Sequence, residues 1–535
     1  MPSGSLKAFA ELLDRLVLTP SRNGKLRLIA TYLADTPDPD RGIALAILAG
    51  ELSLKAVKAN LFRTLAEEHI DPILFRLSYD YVGDLAETVS LVWPQKADNA
   101  GSLGLADCVA RLEALTRAEA PAVVADLLDR LNPAGRWALI KLATGGLRIG
   151  ISARLTKQAL ALYGGKDVAE IEELWHGLKI PYGDLFAWLE GGEKPKNTII
   201  AGFSPVMLSH PLDAALLSNL DLRDYQAEWK WDGIRVQAVG QQGVARLYSR
   251  SGEDISGAFP DVVEAIDFDA VIDGELLARV PKTGRTGTFS DLQQRLNRKT
   301  VSSTLLAKYP VMVRAYDLLR LDGEDLRERP LSERRERLDT FIANLDSDRF
   351  DISPALEIPD AAALSALRAN PPEPPIEGVM LKRRDAPYVA GRPKGQWWKW
   401  KRDPFNVDAV LMYAQRGHGK RSGIYSDFTF GVWQDGETGL QLVPVGKAYF
   451  GFTDAELAEL DRFVRNNTVE RYGPVRSVRA EPQHGLVLEI AFEGLNRSKR
   501  HRSGVAMRFP RISRIRWDKK PIEADRIGAL EILLD

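Results

Sequence analysis

Through the first 190 positions apolar residues recur every three or four residues; after that the spacing shortens. AFAELLDRLVL (8–18), GIALAILAGELSLKAVKANLFRTLAEE (42–68) and APAVVADLLDRLNPAGRWALIKLATGGLRIG (120–150) each predict helix on this spacing. EGGEKPKNTIIAG (190–202) has no apolar period and reads as a linker. From 203 to 405, YQAEWKWDGIRVQAVG, GVARLYSRSGED, AVIDGELLARV and VMVRAYDLLRLDG are short β-rich runs cut by Gly and Asp, with helical pieces such as SERRERLDTFIANL between them. That mixture predicts an α+β domain on a largely antiparallel sheet. RANPPEPPIEG (368–378) reads as a Pro-rich surface loop. Beyond 405, strands alternate with turns around one helix, TDAELAELDRFVRNN, and a small all-β barrel of the OB-fold kind fits. The chain is therefore read as multidomain: helices over 1–195, α+β over 203–404 and all-β over 405–535.

Composition narrows this picture only a little. The 535 residues are 45% hydrophobic and 27% charged, a globular balance, and 72 Lys+Arg nearly cancel 73 Asp+Glu. Overall charge says nothing about nucleic acid, so local distribution must. It is uneven: residues 496–520 carry ten Lys/Arg against Asp518 as the one acid. A lone cysteine, Cys108, excludes an internal disulfide and a multi-cysteine zinc site, and is compatible with a cytoplasmic setting. Glu11 and Asp14 interrupt any signal-peptide core, and no apolar run approaches the length of a membrane span.

The charge in EWKWDGIRV (228–236) is odd for a strand with a buried face. Alternation puts Glu228, Lys230 and Asp232 on one side and Trp229 and Trp231 on the other. A lysine amine becomes a covalent nucleophile when burial or nearby cations disfavour its charge. Gly233 would let a ligand approach the backbone, and Arg235 offers a planar donor fork. K-x-D-G-x-R alone fits a solvated strand edge equally well. Its company decides: EWKWDGIR, SRSGED (249–254), DGELL (273–277), YDLL (316–319), EGVMLK (377–382) and WWKWK (397–401) resemble, in sequence and order, the motifs of ATP-dependent DNA ligases. RFPRISRIRWDK (508–519) resembles that family's C-terminal motif, and GDL (83–85) and LRIG (147–150) resemble parts of its helical domain.

The resemblance implies the bacterial-type three-domain form of a covalent lysine nucleotidyltransferase. Its parts are an all-α DNA-binding domain, an α+β nucleotidyltransferase core on an ATP-grasp-like antiparallel sheet, and an OB-fold barrel. It implies that Lys230 takes AMP from ATP, that AMP passes to the 5′-phosphate at a nick, and that the 3′-hydroxyl displaces it. Such transfers need positioning and charge neutralisation more than proton transfer. It further implies that Glu275 and Glu377 hold Mg2+ (or Mn2+), for which carboxylate oxygens are suited. Asp273 is expected to be a turn residue before Gly274. Lys399 and Lys401 would bind the α-phosphate and disfavour a third charge on Lys230. Tyr316 would stack on adenine; Glu228 would lie on the adenine side; Arg235, Arg250 and Arg392 would meet ribose or phosphate. Arg508, Arg511, Arg514, Arg516 and Lys519 would contact pyrophosphate or DNA, with Lys141, Arg148, Arg154, Arg295, Arg298 and Lys299 as further DNA contacts. No G-x-x-x-x-G-K-[ST] loop occurs, since Gly446-Lys447 runs into Ala448. NAD is disfavoured because NAD-dependent ligases carry a four-cysteine zinc module. An RNA ligase, a capping-type nucleotidyltransferase and an inactive DNA-binding scaffold remain as alternatives. The expected partner is nicked duplex DNA, met by a cytoplasmic, nucleoid-associated monomer.

Overall fold

The computed structural model describes residues 5–534, apart from 53–56, 95–102, 146, 148, 197–199, 282, 297, 299, 418–422, 437–438, 499–500 and the side chains of 80 and 81. The chain forms two compact units, one of Met1–Gly165, Ile180–Glu190 and Pro404–Asp535, the other of Lys166–Lys179 and Gly191–Asp403. Arg148 and Lys299 lie outside the described residues.

Helices fill 6–189 of the chain as the apolar spacing predicts, but the two long runs are broken. The first breaks after Asp40–Ala49, where Gly50 takes φ 80° and donates back to Ala46 and Ile47; helix resumes at Ala59–Glu67. The second breaks between Ala120–Asp129 and Pro133–Thr144, where the Asn132 side chain accepts from Gly135 N at 2.9 Å. The GDL stretch is a helix corner. Gly83, at φ 71°, ends Pro72–Val82, and Asp84 caps Leu85–Val92 while pairing with Lys141 Nζ at 2.5 Å.

In the second unit the long strands are β1 (Tyr225–Trp231), β2 (Ile234–Gln241), β3 (Val244–Ser249), β4 (Ala270–Ala278), β5 (Val311–Leu321), β6 (Ile376–Arg383) and β7 (Trp397–Lys401). The expected single sheet is two. β1, β6 and β7 lie in a five-stranded sheet; β2 to β5 lie in a six-stranded one. Both are antiparallel except at two short strands: His210–Pro211 runs parallel to β7, and Phe350–Ile352 parallel to β5. Alternation along β1 and β7 sends Trp229, Trp231, Trp398 and Trp400 into one buried cluster with Val379, Leu381, Leu277 and Met312. Each buried indole removes enough apolar surface to contribute roughly 4–6 kcal/mol before conformational entropy is set against it. The opposite face of the same strands carries Glu228, Lys230, Lys399 and Lys401, with Met380 and Trp397 among them.

At the C-terminal end, β8 (Phe405–Arg416), β9 (Tyr425–Gly436), β10 (Gly439–Ala448), β11 (Val487–Phe492) and β12 (Arg511–Arg516) belong to a seven-stranded, curled sheet. β8 pairs along its start with β11 and along its end with Val475–Val478, which forces the curl. The core inside holds Val407, Leu411, Phe428, Phe430, Leu488 and Ile490. The helix predicted at TDAELAELDRFVRNN is present as Asp454–Asn466, started by a Thr453–Glu456 capping box.

Candidate active site

Rows of facing residues across β1, β6 and β7 build the charged face. Gly378 faces Lys230 on one side and Lys401 on the other; Met380 likewise faces Glu228 and Lys399. The register slips between Ile376 and Gly378, so Glu377 is an extra residue in β6. Such a bulge re-aims a side chain, and here it turns the Glu377 carboxylate onto the lysine face. Glu377 Oε1 lies 2.6 Å from Lys230 Nζ and Oε2 lies 2.9 Å from Lys401 Nζ. Gly378 beside it has φ 147°, and a Cβ there would sit 2.2 Å from Trp400 O, so this position excludes a side chain.

The electrostatics follow from this crowding. Burial pushes the Glu377 carboxyl up, but Lys230 and Lys401 outweigh it and hold the group below its ordinary range. Lys399 is drawn down by burial and by Lys230, Arg392, Arg250 and Lys401 around it. Arg250 is lowered by partial burial and by Arg235 and Arg392. Lys230, Lys399, Lys401, Arg250 and Arg392 thus gather around Glu377, a field that favours a further anion. Arg392 belongs to this group.

The neighbouring sheet supplies Glu275, directly opposite Arg235 in the β2–β4 register. Gly233 makes that approach possible: a Cβ there would meet Leu276 O at 2.5 Å and Glu275 Cγ at 2.8 Å. Its role is strand packing rather than ligand access. Glu275 is pushed up to about 7 by burial, against Lys230 and Arg235, with Glu377 and Asp273 adding to the rise. A raised carboxyl stabilises the fold most at low pH, and that stability is lost as pH climbs from the unfolded value of 4.5 through about 7. In metal-free buffer at pH 8, Glu275→Gln is therefore expected to stabilise the protein, on the order of 2 kcal/mol, and at pH 5 most of the gain should vanish. Melting temperatures at the two pH values check this; equal shifts at both would contradict it.

Asp273 is not a turn residue. It lies inside β4, fully buried, and accepts from Arg235 Nε at 3.0 Å and Nη2 at 2.6 Å, from Tyr388 OH at 2.6 Å and from Tyr316 OH at 3.2 Å. Arg235 also donates from Nη1 to Met207 O at 2.7 Å. Its fork is thus occupied by protein oxygens. Glu228 is as deeply buried, with Gln226 Nε2 at 2.8 Å, Lys382 Nζ at 2.9 Å and Arg335 Nη1 at 3.5 Å. Its carboxylate is consumed by these partners. Asp273, Tyr388, Gln226 and Lys382 were missed as site residues. For Lys382 the signal was present, as the last residue of EGVMLK.

The comparisons with known proteins fit this geometry. Family models described as DNA ligase N terminus, ATP dependent DNA ligase domain and ATP dependent DNA ligase C terminal region match residues 5–161, 206–401 and 421–519. A probable DNA ligase of Koribacter versatilis (strain Ellin345) is 32% identical, over 98% of this chain and 96% of its own length. The chain belongs to the ATP-dependent DNA ligase family. DNA ligase 1 of Korarchaeum cryptofilum (strain OPF8) is 27% identical to this ligase, over 98% of the chain and 97% of that protein. A solved structure, Pmar-Lig_PreS3, shares the fold at a TM-score of 0.60 and 17% identity, covering 95% of this chain and 99% of that one.

Elsewhere in the ligase the basic positions are less free than the sequence implied. Arg511 pairs with Glu493 at 3.0 Å, Arg516 with Asp408 at 3.2 Å and Asp518 at 2.8 Å, and Lys519 with Asp408 at 2.5 Å. Arg508 stands over the exposed Phe509 ring at 5.8 Å. Arg514 is exposed and makes no ion pair among the described residues. Arg295 does not face solvent at all: it is buried, paired with Asp261 and bonded to Ala258 O and Tyr309 O. It braces the fold instead of reaching DNA. Arg298 is exposed and donates to Gln294 O at 2.6 Å. No helix of the described residues is long and apolar enough to cross a membrane.

Proposed function

We propose that Lys230 is the nucleophile of the nick-sealing reaction. The observation that carries this is its amine, held on a charged sheet face by Glu377 and ringed by Lys399, Lys401, Arg250 and Arg392. Lys230 Nζ forms a bond to the α-phosphorus of ATP as the bond to pyrophosphate breaks and the amine gives up a proton. AMP then moves to the 5′-phosphate of the nick, and the 3′-hydroxyl displaces it. The surrounding cations neutralise phosphate oxygens through these transfers. Tyr316 stacks on the adenine, and Glu228 marks the base end of the slot. Among the described residues no three His, Cys, Asp or Glu converge as a metal site. Two carboxylates, Glu275 and Glu377, still fit Mg2+ or Mn2+, which fill their shells with water and phosphate oxygens; a bound ion would supply charge neutralisation at the phosphates.

The substrate is a nicked duplex, bound by a monomer in the cytoplasm through domains of 1–195, 203–404 and 405–535. Basic side chains support this reading. A cleft of about 600 Å³ in the N-terminal region is lined by Arg22, Lys25, Gly150, Ser152 and Arg154, with no acid among its lining residues. Ser21 and Ser152 begin helices at its rim, and helix N-termini favour phosphate. Lys25 Nζ also donates to Ile149 O at 3.2 Å and Gly150 O at 3.3 Å, which ties the backbone at these two residues to the helix that carries Lys25. Lys141 is paired with Asp84 and offers less.

The double variant Arg22→Glu, Arg154→Glu is expected to weaken nick binding and to flatten the slope of log K against log salt by up to about 2. Self-adenylylation should stay at the wild-type rate. An unchanged salt slope would remove this cleft from the DNA path. The reaction class is tested by offering nicked DNA and nicked RNA with ATP or GTP; sealing of DNA with ATP alone is the expected outcome.

A further inference from the structure

Two rows from Lys230 along the strands, about 13 Å at the usual rise, the charged face ends at Lys382, which faces Gln226 and Trp397 across the sheet. Lys382 is 1% exposed. The one hydrogen bond of its amine among the described residues goes to Glu228 Oε2 at 2.9 Å. The amine lies 4.1 Å from the centre of the Tyr316 ring and 4.8 Å from that of Trp397. Burial lowers its basicity, against the pull of Glu228 and Asp317. A buried ammonium with a counter-ion on one side and aromatic rings on the other is a strong cation–π arrangement.

We propose that Lys382 is a positioning residue for the nucleotide base, acting through Tyr316. Its amine covers one face of the ring, so a base can stack only on the other. The Tyr316 hydroxyl is bonded to Asp273 at 3.2 Å and the ring meets Trp397 edge-on at an interplanar angle of 79°. With the hydroxyl tied, one edge packed and one face occupied, Tyr316 is set before a nucleotide arrives. Less ordering is then lost on binding. The chain of contact runs Gln226, Glu228, Lys382, Tyr316, and Arg335 on the helix Leu331–Ala343 closes it from behind. The polar atoms of this chain serve geometry and leave phosphate chemistry to the Lys230 end.

This inference rests on the reading that Tyr316 stacks on the adenine, and the test separates the two. Self-adenylylation is measured for Lys382→Met and Lys382→Arg, each in the wild-type and the Tyr316→Leu backgrounds. With Tyr316 present, Lys382→Met is expected to raise KM for ATP about tenfold with kcat within about threefold, and Lys382→Arg is expected to raise it less. In the Tyr316→Leu background neither change should matter, because the ring it acts through is gone. Equal fold-changes in both backgrounds, or an unchanged KM, would overturn the role of Lys382. Should Lys382→Met fail to fold, because buried Glu228 loses its nearest cation, the Lys382→Arg cycle decides by the same criterion. If Tyr316→Leu alone leaves KM untouched, the stacking reading fails first.

Discussion

Lys230→Ala is expected to abolish self-labelling from α-labelled ATP, by at least about 10⁴-fold, while the protein still closes a nick whose 5′-phosphate already carries AMP. The two halves of this result have separate causes. Covalent capture needs the amine itself, and no neighbour can replace it. Lys401 has the same chemistry, but it lies on the far side of Glu377, paired to the other carboxylate oxygen. Lys399 is a row away, opposite Met380. Closing an adenylylated nick needs no lysyl bond, only the cations and carboxylates proposed to hold the phosphates. Lys230→Arg should behave like Lys230→Ala, because a guanidinium keeps its charge and is a poor nucleophile. Gel autoradiography after incubation with labelled ATP reads the first half, and ligation of a pre-adenylylated oligonucleotide reads the second. Residual labelling in Lys230→Ala above a few per cent would move the nucleophile elsewhere.

Much of this arrangement was legible from period and order alone. Alternation in EWKWDGIRV and WWKWK set Lys230, Lys399 and Lys401 opposite Trp229, Trp231, Trp398 and Trp400, because a strand has only two faces and these four indoles pack into one core; Trp397 falls on the lysine face and is buried there instead. What stayed hidden depends on contacts that spacing does not encode. The bulge at Glu377 breaks the period of two and brings its carboxylate onto the lysine face. The DG pair at 273–274 reads as a turn by composition. Here Gly274 serves close packing instead, since a Cβ would meet Val313 Cγ1 at 2.7 Å and Arg314 O at 2.9 Å. The basic tail looked unopposed because its acids, Asp408, Glu489 and Glu493, come from β8, β11 and the residue after β11. Strand pairing, and not sequence neighbourhood, supplies them.

The other large effect belongs to Asp273. Asp273→Ala is expected to destabilise the ligase by about 3–5 kcal/mol, the usual cost of stripping one partner from a buried ion pair. Asp273 is fully buried and takes two hydrogen bonds from Arg235 and one each from Tyr316 and Tyr388. Alanine leaves a guanidinium without its counter-charge and two hydroxyls without an acceptor. Asp273→Asn keeps the shape but puts an NH2 group against donors, so it should recover less than half of the loss. Removing both charges tests the cause: Asp273→Leu with Arg235→Met should be more stable than Asp273→Ala alone, because no buried charge is left uncompensated. Calorimetric melting of the three variants and wild type gives the comparison. The same variants should raise KM for ATP, since Tyr316 loses the bond that fixes its hydroxyl. A cost under about 1 kcal/mol for Asp273→Ala would mean that water or another carboxylate takes over its donors, and that the site is held together by the strands rather than by this acid.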